Sequence, residues 1–341
     1  MFKRILIPLD GSARAESAIP VAARIARAYG ASITLLRVEE TPVEYGSFVA
    51  SPASYTKEAI KANLAEATSY LETVAKAVEL AGIEVETKAL FGAVAPTIIG
   101  AAQVYHSSLV VMCSHGFTGF KRWILGSVAD HIARHITTPV LILREGAPLP
   151  ATATKQPVRA LVALDGSPLS ESVFEPAAYL VAALATTTSQ QGELHLLRVV
   201  DLPFGSGKLK SQAYVDSKTR DEAVKDAQDY LETLTTRLEK GGLVDITVKT
   251  KVESDPDVAE AIIKQTEDGP VDLIAMATHG RGGMQHFVMG SVTERVLHHS
   301  NLPLLIVRPP KEQKSGKKEK DEQDVKVEVT EVDVHSWVGL L

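Results

Sequence analysis

The chain carries one set of landmarks twice, in the same order, and this duplication limits its fold more than any other feature. ILIPLDGS (5–12) returns as ALVALDGS (160–167). LLRV (35–38) returns at 196–199, and YLET (70–73) at 230–233. SHGFTGFKRWILGSVADH (114–131) returns as THGRGGMQHFVMGSVTER (278–295), and TPVLILR (138–144) as LPLLIVR (302–308). One domain has been duplicated. The boundaries read as 1–146 and 157–309, joined by an Ala/Pro/Thr-rich linker at 147–156 and followed by a tail at 310–341.

Each copy alternates strand and helix patterns. The runs at 4–9 and 158–164 are short and apolar, as buried parallel strands are. Ser12 and Ser167 are placed to cap the helices that follow, with Pro168 at the first helical position. Second strands are expected at 32–38 and 193–200 and third strands near 84–90 and 244–252. Between them Ile60, Leu64, Ala67, Leu71, Val74 and Val78 recur at helical spacing. Val224, Ala227, Leu231, Leu234 and Leu238 do the same, and Gly82 and Gly241-Gly242 close the two helices. Helices at 94–105 and 257–267 lead into fourth strands, SLVVMCS and VDLIAMAT. The last helices start at Ser127 and Ser291. This order predicts an α/β fold: two tandem domains, each an open five-stranded parallel sheet with helices on both faces. Ligands of such sheets bind beyond the carboxyl ends of the strands, where strand order reverses. If strands one and four are neighbours, the Asp10 and Asp165 turns face the glycine loops after strand four.

Those loops differ in content but keep their length. Gly116 and Gly280 open them, and Gly126-Ser127 and Gly290-Ser291 close them onto a helix. Such glycines take backbone angles that a side chain forbids and let a ligand approach closely. Free N–H groups at a helix entrance favour an anion, and the serine hydroxyls can donate to a phosphate. The plainer reading is a capping box, Ser127 with Asp130 and Ser291 with Glu294, which binds nothing. A cap alone does not fix loop length.

On these residues the chain resembles the universal stress protein family in its tandem form, over 1–309. Members with the nucleotide signature carry Gly, two residues, Gly, nine residues, then Gly-Ser or Gly-Thr. The resemblance implies Rossmann-like, adenine-nucleotide-hydrolase-like domains that hold ATP, with or without Mg, with phosphates on this loop. It implies an aspartate after strand one, matching Asp10 and Asp165, and adenine near the end of strand two, matching Val38 and Val199. The candidate cofactor-binding set is therefore Asp10, Val38, Gly116, Gly119, Gly126, Ser127 and Val128 in the first copy. In the second it is Asp165, Val199, Gly280, Arg281, Gly283, Gly290, Ser291 and Val292. The sequence departs from the signature at its first glycine, which is Cys113 in one copy and Ala277 in the other. Cysteine adds more bulk than alanine where the ligand should pass, so the second copy is the better site.

Other motifs carry less. GSGK (205–208) lacks the earlier glycine and the following Ser/Thr of a Walker loop. His131 and His135 are spaced like a metal pair, but their counterparts are Arg295 and His299. His115 and His279 either shape the turn or touch a phosphate. Cys113, the only cysteine, reads as a buried, inert thiol, and its solitude excludes an intrachain disulfide. No catalytic set or metal cluster is visible, which leaves at most slow ATP hydrolysis. A net charge of −6 does not suggest nucleic-acid or anionic-membrane partners, and no run approaches a membrane span. A cytoplasmic, stress-linked regulator that binds an adenine nucleotide and an unknown protein partner is the expected function. The rival is a scaffold with empty crevices, pairing within the chain or as a homo-oligomer through its apolar last strands.

The tail opens with a run dense in both charges, then alternates as VKVEVTEVDV and ends HSWVGLL. The first part reads as a disordered linker, the second as a segment ordered only in part. Removing 311–341 is expected to leave melting temperature and oligomeric state unchanged. A fall in either would show that Trp337 and the terminal leucines anchor a strand on a sheet edge.

Overall fold

The computed structural model describes residues 2–40, 57–114, 125–144, 149, 157–186, 191–201, 217–240, 246–279 and 289–309. They form two compact units, one from the described residues of 2–119 and 126–138, the other from those of 139–309. The GSGK run, Gly241-Gly242 and the tail lie outside the described residues.

The first unit holds β1 (Arg4–Pro8), β2 (Ser32–Glu39), β3 (Val85–Phe91) and β4 (Leu109–Cys113) in the order β3-β2-β1-β4, all parallel. Ile5, Leu6 and Ile7 are fully buried, as a central parallel strand covered on both faces requires. The second unit repeats the pattern with β6 (Arg159–Leu164), β7 (Gly192–Val200), β8 (Ile246–Ser254) and β9 (Leu273–Ala277). It adds β10 (Leu304–Val307) and β5 (Val140–Leu143), giving β5-β10-β9-β6-β7-β8. β5, which the sequence assigns to the first repeat, thus lies in the compact unit of the second. Its pairing with β10 is antiparallel, Leu304 opposite Ile142 and Ile306 opposite Val140. Every residue of both strands is buried. Arg144, at the end of β5, donates to the carbonyl of Leu297, placing a cation against a helix C-terminus. Burial lowers its pKa to about 10.

The helices refine the sequence reading. After each Asp-Gly-Ser turn the helix is broken: α1 (Ala13–Glu16) gives way to α2 (Ala18–Tyr29), and α6 (Pro168–Glu171) to α7 (Phe174–Thr186). The cause is a proline in the first turn of the second piece, Pro20 or Pro176. It supplies no N–H to the carbonyl four residues back and crowds that carbonyl, so the first piece stops there. α2 buries Ala18, Ala22, Ala23 and Ala26, small residues that bring the helix close to the sheet. α3 (Lys57–Val74) and α8 (Ser217–Lys240) are the long amphipathic helices. Ala67, Leu71 and Val74 are buried as expected. Val78 is not: α3 ends at Val74, a 3-10 turn covers Val78–Leu80, and Val78 is 79% exposed. The periodicity runs one step past the helix because apolar spacing carries no information on where the backbone stops. α4 (Val94–Val104) and α9 (Val258–Asp268) follow the third strands, and α5 (Ser127–His135) and α10 (Ser291–His299) the fourth.

Leu71→Ala is expected to cost roughly 2–5 kcal/mol, because the lost contacts leave a cavity. Val78→Ala is expected to stay within about 0.5 kcal/mol. Urea denaturation of the two variants measures both, and equal costs would contradict the end of α3 at Val74.

Candidate functional site

β1 lies directly beside β4, with Ile5 opposite Leu109, and β6 beside β9, with Ala160 opposite Leu273. The Asp-Gly-Ser turn and the loop after strand four therefore leave the same edge of each sheet, as the crevice requires. The two turns are built alike. Asp10 Oδ1 accepts from the Ser12 backbone N–H at 2.9 Å and from the Ser12 hydroxyl at 2.6 Å. Asp165 Oδ1 accepts from Ser167 at the same two distances. Ser12 in turn caps α1 by accepting from Ala15 N at 3.1 Å, and Ser167 caps α6 by accepting from Ser170 N at 3.2 Å. Gly11 and Gly166 sit between them at φ of 87° and 83°, the left-handed region that glycine enters without steric cost.

The loop after strand four is closed by one backbone hydrogen bond. Gly126 N donates to Ser114 O at 2.8 Å, and Gly290 N donates to Thr278 O at 2.8 Å. Ser114 and Thr278 are buried, so the acceptors are fixed by the sheet. The two copies thus share the same closure at the loop ends. The expectation that Gly126 and Gly290 need unusual backbone angles is corrected. Both are extended, at φ −65° and ψ 149°, and φ −71° and ψ 146°. What disfavours a side chain at Gly290 is proximity: a Cβ there would lie 3.2 Å from Thr278 O, a tight contact with backbone.

The capping reading of the serines also fails. Gly126 and Gly290 are the N-cap residues, Ser127 and Ser291 are the first helical residues, and neither helix has a side-chain cap. The first donors to reach back four residues are Asp130 N and Glu294 N, each 2.9 Å from the glycine carbonyl. The N–H groups of Ser127, Val128 and Ala129, and of Ser291, Val292 and Thr293, have no carbonyl behind them in their helices. Ser127 and Ser291 are exposed at this entrance, and Val128 and Val292 are half-buried. The arrangement can hold an anion on backbone N–H groups and a hydroxyl. Asp130, the acid in the first turn of α5, is paired with Arg134 at 2.9 Å.

Val38 and Val199 are the penultimate residues of the second strands, half-exposed. Cys113 is half-buried rather than buried, and its Sγ lies 3.0 Å from Ser17 Oγ. The same hydroxyl also lies 2.7 Å from Arg14 O, to which it donates. Ala277 is buried, and its carbonyl accepts from Thr293 at 2.9 Å. His279 Nδ1 lies 2.9 Å from Thr278 Oγ1, within the turn itself. His131 and His135 stack with centroids 4.3 Å apart. Among the described residues no group of three or more His, Cys, Asp or Glu is placed to hold a metal. Gly116, Gly119, Gly280, Arg281, Gly283 and His115 lie outside the described residues.

A second duplicated set escaped the sequence reading, although LLRV and YLET marked it as repeated. Tyr70 donates to Glu16 Oε1 at 2.8 Å, and Arg37 lies over the Tyr70 ring, 5.1 Å from its centroid. Arg198 lies over Tyr230 at the same 5.1 Å. Burial first, then the neighbouring Glu16 or Glu171 carboxylate, holds each phenol above its usual range.

The model of the universal stress protein family matches the chain twice, over residues 1–144 and 158–308. The chain belongs to the universal stress protein family. A universal stress protein of Mycolicibacterium smegmatis is 27% identical over 315 residues, covering 89% of this chain and 97% of that one. A single-repeat relative, Universal stress protein MJ0531 of Methanocaldococcus jannaschii, is 33% identical over 146 residues, 42% of this chain and 84% of its own. The crystal structure of a universal stress protein from Archaeoglobus fulgidus shares the fold, at TM-score 0.62 and 24% identity over 89% of this chain and 98% of that one. This member of the family has two repeats of a Rossmann-like α/β unit. Among its described residues no helix is long and apolar enough to cross a membrane.

The two kinds of serine separate by stability. Ser167→Ala removes a cap and is expected to cost roughly 0.5–2 kcal/mol. Ser291→Ala removes none and is expected to cost under about 0.5 kcal/mol in the ligand-free protein. Chemical denaturation of the two variants decides, and a comparable loss at Ser291 would restore the capping reading.

Proposed function

We propose that each Gly-Ser helix entrance takes the phosphates of ATP or a related adenine nucleotide, and that occupancy makes the chain a stress-linked regulator. The observation that carries this reading is the pair of nine-residue helices whose first-turn N–H groups and serines are committed to nothing in their own helices. Family membership and the retained second half of the nucleotide signature support it. Gly116, Gly119, Gly280, Arg281 and Gly283 would complete the loops, with Asp10 and Val38, or Asp165 and Val199, on the facing side. The Asp10 and Asp165 carboxylates are the groups on hand for a Mg ion on the phosphates. The repeats 1–146 and 157–309 are the two binding units, acting in the cytoplasm on a protein partner. Bound nucleotide regulates only if it favours one of two conformations.

A second reading, a scaffold with empty crevices, draws on the antiparallel pairing of the two apolar last strands, β5 and β10. Retained nucleotide separates the two readings. Protein purified without added nucleotide is denatured, and the supernatant is resolved by anion exchange against adenine-nucleotide standards. Near two equivalents of ATP are expected if Cys113 is tolerated, near one if only the second repeat binds, and Gly290→Val removes that one. An empty supernatant, with no binding of Mg-ATP on titration, overturns the nucleotide reading in favour of the scaffold. Phosphate release on long incubation would add slow hydrolysis.

A further inference from the structure

Beyond the last rung of the β1–β2 ladder the chain must hold its crevice open without backbone pairing. The final bond there is Leu9 N to Leu36 O at 2.8 Å. In the second repeat the pairing ends with Leu164 opposite Arg198. The Asp10 and Asp165 turns lie beyond these points, and Arg37 and Arg198 of the second strand reach towards them. A Cβ on Gly11 would lie 3.5 Å from Arg37 Nη1, and one on Gly166 would collide with the Arg198 guanidinium. The Arg198 guanidinium therefore lies against Gly166 and that of Arg37 near Gly11, and each also lies over a tyrosine ring.

The tyrosine belongs to the long helix, α3 or α8. Tyr70 also donates to Glu16 of α1, whereas Glu171 of α6 lies near Tyr230 and raises its phenol pKa while the buried Tyr230 hydroxyl makes no hydrogen bond to the described residues. Strand two, the turn and the long helix thus meet at one arginine in each repeat, and in the first repeat the short helix joins them through Tyr70. The surroundings have diverged. Arg37 is also paired with Glu39 at 2.6 Å, where the second repeat has Val200. Glu171 also takes Arg237, where the first repeat has Ala77. Aspartate, glycine, serine, glutamate, arginine and tyrosine are kept in place in both. A guanidinium suits this position because its plane stacks on an aromatic face while its edge still carries N–H donors.

We propose that Arg37 and Arg198 are positioning residues for the nucleoside end of the bound nucleotide. The inference rests on the nucleotide reading above. With phosphates on the α5 or α10 entrance, the remainder of the ligand must run along the crevice towards the β1 or β6 turn. The arginine fixes that turn at a set distance from the end of the second strand and so sets the width of the slot. Its effect falls on the nucleoside, and the phosphate subsite on strand four and its helix is untouched.

The test uses the full chain, with Mg-ATP and inorganic tripolyphosphate as separate probes in calorimetric titrations. Arg37→Ala with Arg198→Ala is expected to weaken ATP at least tenfold and leave tripolyphosphate within twofold. Arg37→Lys with Arg198→Lys keeps the charge and loses the stacked plane, so an intermediate loss of ATP affinity is expected from a variant more certain to fold. Unchanged ATP affinity in both double variants overturns the proposal and leaves the nucleotide reading standing. A parallel loss of both probes also overturns it, since that marks a general structural role. Wild-type protein that binds neither probe removes the nucleotide reading itself, and the proposal with it.

Discussion

One backbone hydrogen bond, made once in each repeat, governs what the crevice can be. Gly126 N to Ser114 O and Gly290 N to Thr278 O join residues at the two ends of a loop whose interior sequence has drifted. The carbonyl belongs to a buried residue at the end of the fourth strand, so its position is set by the sheet. The donor must be a residue whose backbone comes that close, and at Gly290 a Cβ would stand 3.2 Å from the same oxygen. The glycine N–H is taken by this bond, and the next three N–H groups, like those opening any helix, have no carbonyl behind them. The closure places these N–H groups at the end of the fourth strand.

The turn after strand one is the opposite case. There the turn is bonded locally: one oxygen, Oδ1, of Asp10 and of Asp165 accepts from its serine, and each serine caps its helix. Two serines in one repeat thus differ by backbone position alone. Ser12 precedes its helix and caps it, whereas Ser127 stands inside its helix and does not. The contrast separates a residue that serves the fold from one left available to a ligand.

Much of this was legible in the sequence because duplication supplies its own control. The succession of strands and helices and the first residues of α5 and α10 followed from apolar runs and from glycines at fixed spacing, whereas the adjacency of strands one and four, on which the crevice depends, is seen only in the sheet. The end of α3 did not follow, since Val78 continues a spacing that the backbone has already abandoned. The break between α1 and α2 was hidden in Pro20 and Pro176, whose effect falls on residues before them. The arginine–tyrosine pairs were visible as repeated words, but a repeat does not say which words touch. Their meeting depends on three elements far apart in sequence. Choosing between capping and ligand for Ser127 and Ser291 needed a shift of one residue in the helix start, which propensity does not resolve.

The pairing of β5 with β10 bears on how the protein is made. Ile142 meets Leu304, so the first of these strands leaves the ribosome 162 residues before its partner exists. At about 5–20 residues per second that is roughly 8–32 seconds. Through that interval Val140, Leu141, Ile142 and Leu143, all buried in the finished fold, wait with a bare strand edge. Synthesis of this chain therefore includes a period in which one wholly apolar strand is complete and the strand it pairs with is not.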